Sequence, residues 1–123
     1  MSNNPTKNDS LQDHLARSSE INITLTGRKS GRSITLPIWF VWDDGKVYLL
    51  PVKGSDTQWF QNALKKPAMR IEVRGAKAEV KAVVVTDAPH VKSVVEKFRA
   101  KYGAGDVKKY YSKFDVAVTA EIS

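Results

Sequence analysis

The sequence predicts a mainly β, α+β fold: a small antiparallel barrel of about six strands with flanking helices. Three observations carry that expectation. Apolar residues recur at every second position in several short runs. Tight turns rich in glycine and aspartate join most of those runs. Helical segments are too few to supply the crossovers that parallel neighbours need.

Taken in order, residues 1–9, MSNNPTKND, carry almost no apolar side chain and read as a loose arm, leaving 10–123 as a single domain. Ser10 is placed to cap a short helix through Arg17, with Leu11 and Leu15 on one face. Ile21, Ile23 and Leu25 then alternate with Asn22, Thr24 and Thr26 in a strand that ends at Gly27. After the turn GRKSGR, Ile34 to Trp42 reads as an apolar, aromatic strand, Asp44-Gly45 as a hairpin turn, and Val47 to Val52 as the partner strand. Ser55 or Asp56 is placed to cap a helix over Thr57 to Lys65, whose inward stripe holds Phe60 and Leu64 beside Trp59 and Ala63, and which Pro67 stops. Met69, Ile71 and Val73 mark another strand, Arg74-Gly75 a turn, and Ala78 to Thr86 a long returning strand. Asp87 caps a helix from Ala88 to Tyr102 with Gly103 at its C′ position. A helical turn over Asp106 to Ser112 leads to a last strand, Asp115 to Ile122, with Val116, Val118, Ala120 and Ile122 facing one way.

Composition narrows the function classes. Hydrophobic residues are 41% and charged residues 27% of 123, which suits one folded domain. The chain has no cysteine, so neither disulfides nor thiolate metal sites are expected, and His14 and His90 stand too far apart in sequence to suggest a metal motif. A basic leader followed by an apolar run is missing, and nothing approaches the ~20 apolar residues of a membrane span. A cytoplasmic location follows as the expectation. Gly-x-Ser-x-Gly, the Walker loop and Gly-x-Gly-x-x-Gly do not occur. Asp43 and Asp44 read as turn residues rather than a catalytic pair.

Twenty Lys and Arg against thirteen Asp and Glu give a formal charge of +7, which favours anionic partners. The cations concentrate in Gly27-Arg28-Lys29-Ser30-Gly31-Arg32, where two glycines let backbone N–H groups turn inward while Arg28, Lys29, Arg32 and Ser30 supply charge and a hydroxyl. A solvated basic turn has the same composition. Lys53-Gly54-Ser55-Asp56 opens a helix, whose N-terminal N–H groups favour a phosphate or carboxylate; the plain alternative is a capped loop. Trp39, Trp42, Tyr48, Trp59 and Phe60 can wall a planar ring or simply fill a core, and Tyr110 and Tyr111 can offer a phenol to a substrate or cover the barrel. A basic nucleic-acid module ranks last, because the aromatics sit on apolar strands rather than alternating with exposed cations.

Three segments, LTGRKSGRSITLPI, VYLLPVKGSDTQWFQNALKKP and KYGAGDVKKYYSKFDVAV, resemble the deazaflavin-dependent nitroreductase family of the flavin-binding split-barrel (pyridoxamine phosphate oxidase-like) group. The resemblance spans roughly residues 21–122. It implies a split β-barrel that binds the reduced deazaflavin coenzyme F-420, or FMN in related branches, and passes hydride to a quinone, nitroaromatic or activated alkene. It also implies a homodimer with cofactor near the interface. By position, Arg28, Lys29, Ser30 and Gly31 match the family's phosphate-gripping turn and Pro37 the proline after it. Lys53 and Gly54 match a second cofactor loop, with Trp59, Phe60 and Asn62 on the helix beside it. The family commonly places an arginine where this chain has Ile34, the nearby one here being Arg32. Tyr110 or Tyr111 would then donate the proton that completes reduction. A flavin-, deazaflavin- or haem-type binder without turnover is the alternative on the same barrel.

Overall fold

In the computed structural model, which describes residues 7–122, the alternating segments assemble into two four-stranded antiparallel sheets. Helix α1 (Lys7–Arg17) precedes β1 (Ile21–Thr26), β2 (Ser33–Ile38), β3 (Val41–Asp43) and β4 (Lys46–Leu49). A 3₁₀ turn (Gly54–Asp56) leads into α2 (Gln58–Lys65), followed by β5 (Ala68–Val73), β6 (Ala76–Lys81) and β7 (Val83–Val85). Helices α3 (Ala88–Tyr102) and α4 (Ala104–Tyr110) come before β8 (Ala117–Glu121). One sheet runs β2-β1-β5-β6 and the other β3-β4-β8-β7. This is the antiparallel α+β barrel that the alternation called for.

The main core lies inside the barrel. Ile21, Ile23 and Leu25 meet Met69, Ile71 and Val73 from the first sheet, and Val47, Leu49, Val118 and Ala120 from the second, all buried. A second cluster sits on the outer face of the second sheet, where Val91, Val94, Val95 and Phe98 of α3 cover Val41, Leu50 and Ala117. Parity explains the division: Val116, Val118, Ala120 and Ile122 point into the barrel while Ala117 points to α3.

Eight strands replace the expected six because two long runs each break between the sheets. The run Ile34 to Trp42 divides at Trp39-Phe40 into β2 and β3, and Ala78 to Thr86 divides at Ala82 into β6 and β7. Period two continues through both bends. Ile38 and Phe40 both face the barrel core and Val80, Ala82 and Val84 do likewise, so hydrophobicity carries no mark of the change of sheet. Backbone bonding does mark it, since the Ala82 N–H donates to Pro67 O at 2.8 Å.

Other boundaries moved for local reasons. The arm expected over residues 1–9 falls, for 1–6, outside the described residues, while residues 7–9 already belong to α1. Ser10 therefore lies inside that helix rather than at its start. The strand expected over Val47 to Val52 ends at Leu49, just before Pro51, which has no N–H to give a ladder. Thr57, not Ser55 or Asp56, occupies the N-cap position of α2, and its hydroxyl accepts the Lys53 N–H at 2.8 Å. Leu64, expected on the inward stripe of α2, is 53% exposed, and the buried set is Trp59, Phe60, Asn62 and Ala63. At the other caps sequence and structure agree: Asp87 accepts from the His90 N–H, and Gly103 closes α3 with φ +94°.

One hydroxyl fastens the first bend. The Phe40 N–H donates to Tyr102 Oη at 3.0 Å, and that oxygen lies 2.7 Å from Phe40 O and 2.8 Å from Ser19 O, to one of which it donates. Removing it with Tyr102→Phe strands the Phe40 N–H, and the unfolding free energy should fall by about 1–2 kcal/mol. A urea midpoint measured by circular dichroism checks this; an unchanged midpoint would deny the hydroxyl any structural weight.

Candidate functional site

Between the basic turn, α2 and the segment after α4 lies a cleft of about 800 Å³. Ile34, Leu36, Pro37 and Ile38 of β2 and its continuation Trp39 form one wall, Thr57, Gln58, Trp59 and Asn62 of α2 another, and Tyr110 and Tyr111 a third. Lys53, Asp56 and Glu20 bring charge to it. Mostly apolar walls with a few placed polar groups are what a small-molecule site requires.

The aromatic wall is layered. Trp39 stacks on Tyr102 with ring centroids 4.2 Å apart at 7°, and Tyr110 meets it edge-on at 5.4 Å and 77°. Tyr111 stands 6.2 Å from it. Burial pushes the Tyr111 phenol well above its ordinary value, so it stays protonated and keeps a hydrogen to donate. Tyr110 is half exposed.

Lys53 and the first turn of α2 face the cleft together. The N–H groups that open an α-helix have no intrahelical acceptor, so Gln58 and Trp59 present donors and the positive end of the helix dipole beside the Lys53 ammonium. Gly54 is fixed by two constraints. Its φ is +56°, and a Cβ there would stand 2.1 Å from Asp115 Oδ1. That carboxylate accepts the Ser55 N–H at 2.9 Å and the Ser55 hydroxyl at 2.5 Å, while Lys113 pairs with Asp56 at 3.2 Å. The loop at 53–56 is thereby braced against the segment that follows Tyr110 and Tyr111.

The basic turn is organised differently from the expectation that all its cations converge on one ligand. Arg28 is committed to α2: its N–H donates to Asn62 Oδ1 at 3.1 Å and its guanidinium to the same oxygen at 2.8 Å and to Gln58 Oε1 at 2.9 Å. Gly27 and Gly31 N–H bond to Arg32 O and Gly27 O, and the Arg32 N–H bonds to Ser30 Oγ. Among the described residues that leaves the N–H groups of Lys29 and Ser30, with the exposed side chains of Lys29 and Arg32, to meet an anion. Residues 28–32 flank the cleft through the Arg28–Asn62 bond without lining it. Gly31 supplies the φ of +72° that closes the turn.

Of the residues singled out from sequence, Pro37, Trp39, Lys53, Trp59, Asn62, Tyr110 and Tyr111 meet in this cleft, whereas Trp42 and Tyr48 pack against the two cores. Phe60 does not; it is 2% exposed and packs in the barrel core, because neighbours on a helix point about 100° apart and Trp59 takes the cleft side. Gln58 and Glu20 line the cleft without having been singled out. Gln58 stands one turn before Asn62, a spacing that offers a sequence signal, whereas Glu20 is isolated and offers none.

Residues 12–121 match the family described as "Uncharacterized protein conserved in bacteria (DUF2255)". The chain belongs to the DUF2255 family. No curated protein matches it in sequence. This DUF2255 chain is similar in structure to an F-420-H2 dependent reductase, with a TM-score of 0.66 and 18% identity over 84% of this chain and 94% of that one. It is similar as well to HutZ, the haem storage protein from Vibrio cholerae, with a TM-score of 0.68 and 11% identity over 93% and 88% of the two chains. A protein described as a domain-swapped dimer matches with a TM-score of 0.67 and 18% identity over 84% and 80%. At these identities the likeness is one of fold, and it places this DUF2255 protein among the split barrels. No helix among its described residues is long and apolar enough to cross a membrane.

Proposed function

We propose that the cleft holds an anionic flavin-type cofactor, deazaflavin F-420 or FMN, and that the chain is a cytoplasmic reductase of small organic acceptors. The observation that carries this reading is the cleft itself: about 800 Å³, walled by Trp39, Trp59, Tyr110 and Tyr111, with Lys53 and a helix N-terminus at its edge. A planar ring suits the aromatic walls, and a phosphate suits the charged edge. The F-420-H2 dependent reductase shares the fold and supports the choice of chemistry.

A reduced flavin or deazaflavin bound here would supply the hydride. The chain's residues do the rest. Lys53, Lys29 and Arg32, with Ser30 and the free N–H groups of the turn, hold the phosphate; Gly31 and Gly54 shape the two loops. Pro37 and Trp59 bound the ring. Asn62 fixes the turn to α2 by way of Arg28. The walls exclude water, and Tyr111, kept neutral by burial, holds a proton for the acceptor, with Tyr110 beside it. The chain works as a homodimer, in line with the dimer whose fold it shares.

Titrating the purified protein with F-420 and with FMN, read by cofactor fluorescence, tests the proposal. The variant Lys29→Ala/Arg32→Ala changes two exposed side chains, so its unfolding midpoint should stay put while affinity falls at least tenfold. If neither cofactor binds the parent chain, the proposal fails. HutZ, the haem storage protein, supports a second reading as a binder without turnover. The cleft lining contains no histidine, cysteine or methionine, so haem iron would have only the Tyr110 and Tyr111 phenols as side-chain ligands of the kinds haem proteins use. Spectra taken during turnover separate the two: a bound chromophore that never reduces nitroaromatic or quinone favours the binder.

A further inference from the structure

A second recognition element lies at the other end of the same cleft. Glu20 immediately precedes β1, and because Ile21 pairs with Ile38, it stands at the strand end beside Trp39. Both residues line the cleft, together with Tyr110 and Tyr111. Tyr102 stacks on one face of the Trp39 ring and does not itself line the cleft, whereas Trp39 does. Tyr110 packs nearly at right angles to the indole, and Tyr111 stands tilted 6.2 Å from it. The carboxylate's field reaches this stack: burial holds the Tyr102 phenol up at about 12, and the Glu20 charge acts in the same direction.

Charge makes this end unusual. The whole chain carries a formal +7, yet the ionisable lining of the cleft consists of the Glu20 and Asp56 carboxylates, the Lys53 ammonium and the Tyr110 and Tyr111 phenols. Asp56 is paired with Lys113. Glu20 is exposed and has no ion-pair partner among the described residues. Glu20 also lines a neighbouring hollow together with Arg17, Glu72 and Arg74. A carboxylate and electron-rich rings lining one cleft suit a positive organic group, since cation–π attraction and ion pairing can act on one centre.

We propose that Glu20, Trp39, Tyr110 and Tyr111 form a binding site for a small organic cation, a primary or substituted ammonium compound carrying an apolar body. The apolar body rests against Ile38 and the indole, and the ammonium meets the Glu20 carboxylate. The site shares Trp39, Tyr110 and Tyr111 with the proposed ring slot, so its test is made on the protein without cofactor, where the redox reading plays no part.

Isothermal calorimetry of the intact protein with benzylammonium, and with benzyl alcohol as its uncharged counterpart, tests the assignment. Benzylammonium should bind at least tenfold more tightly than the alcohol. Glu20→Gln keeps the shape of an exposed side chain, so the unfolding midpoint should hold while the preference for the cation disappears. Tyr110→Ala, at a half-exposed position, should weaken both ligands by severalfold. Equal affinity for the two probes, no binding of benzylammonium, or a preference that survives Glu20→Gln would each overturn the proposal. The last result would transfer the recognition to another group, and either of the first two would leave Glu20 without a role in recognition. Cofactor titration of the same Glu20→Gln protein keeps the two proposals apart, because the phosphate-holding residues assigned to the cofactor, Lys29, Arg32 and Lys53, are unchanged in it.

Discussion

Phe40→Ala should lower the unfolding free energy by about 3–5 kcal/mol, the range for emptying a fully buried aromatic site. Phe40 is 0% exposed at the bend where β2 becomes β3, and its ring carries the Lys101 ammonium 3.7 Å from its centroid. Its carbonyl also accepts from that ammonium at 2.8 Å, so the loss of the ring loosens a contact that anchors the end of α3. Burial meanwhile holds Lys101 down at about 8, so the ammonium at this contact is partly desolvated. A domain of ordinary stability has about 5–15 kcal/mol in total, so the variant should unfold at a urea concentration lower by roughly 1–5 M. Phe40→Leu keeps most of the apolar volume and should cost clearly less. Should Phe40→Ala unfold within about 1 kcal/mol of the parent, the bend is held by its backbone alone.

Asn62→Leu should cost about 2–3 kcal/mol, although the two side chains are close in size. Asn62 is 5% exposed and is the single buried polar side chain among the described residues. Its carbonyl oxygen satisfies both the N–H and the guanidinium of Arg28, and leucine leaves the N–H half-buried and unpaired. The turn at 27–32 then loses its tether, so weaker cofactor binding should accompany the fall in melting temperature. A double-mutant cycle with Arg28→Ala resolves the coupling: with leucine at 62 the arginine change should cost little more. Strict additivity would mean that the two residues act independently and that the turn is held by other contacts.

These two residues also show what could be read from sequence and what could not. The fold class was legible because alternation and turn chemistry are local: Asp44-Gly45 and Arg74-Gly75 adopt positive φ, and Asp87 caps α3 where expected. The bends at Phe40 and Ala82 were not, since the inward-facing pattern runs through them unbroken. Asn62 was singled out through resemblance, but its partner was not foreseen. An exposed-looking arginine and an asparagine thirty-four positions apart meet only when α2 is laid across β1. Conversely, the basic composition of residues 27–32 suggested Arg28, Lys29, Ser30 and Arg32 acting together on one ligand, whereas the structure commits Arg28 to α2 and folds Ser30 back on Arg32. Composition reports which charges are near one another along the chain; it is silent on which of them the fold has already used.

The position of β8 between β4 and β7 has a consequence for how the molecule is made. The hairpin of β3 and β4 is complete by residue 49, yet its outer neighbour arrives only with residues 117–121. Until then β4 presents an unpaired edge and β7 has no sheet to join. During synthesis the first sheet can close by residue 81, while the second waits until residues 117–121 emerge. A nascent chain stalled shortly before β8 should therefore carry a formed half-barrel and a sticky, protease-sensitive remainder, with the last strand acting as the bolt that admits the protein to its folded state.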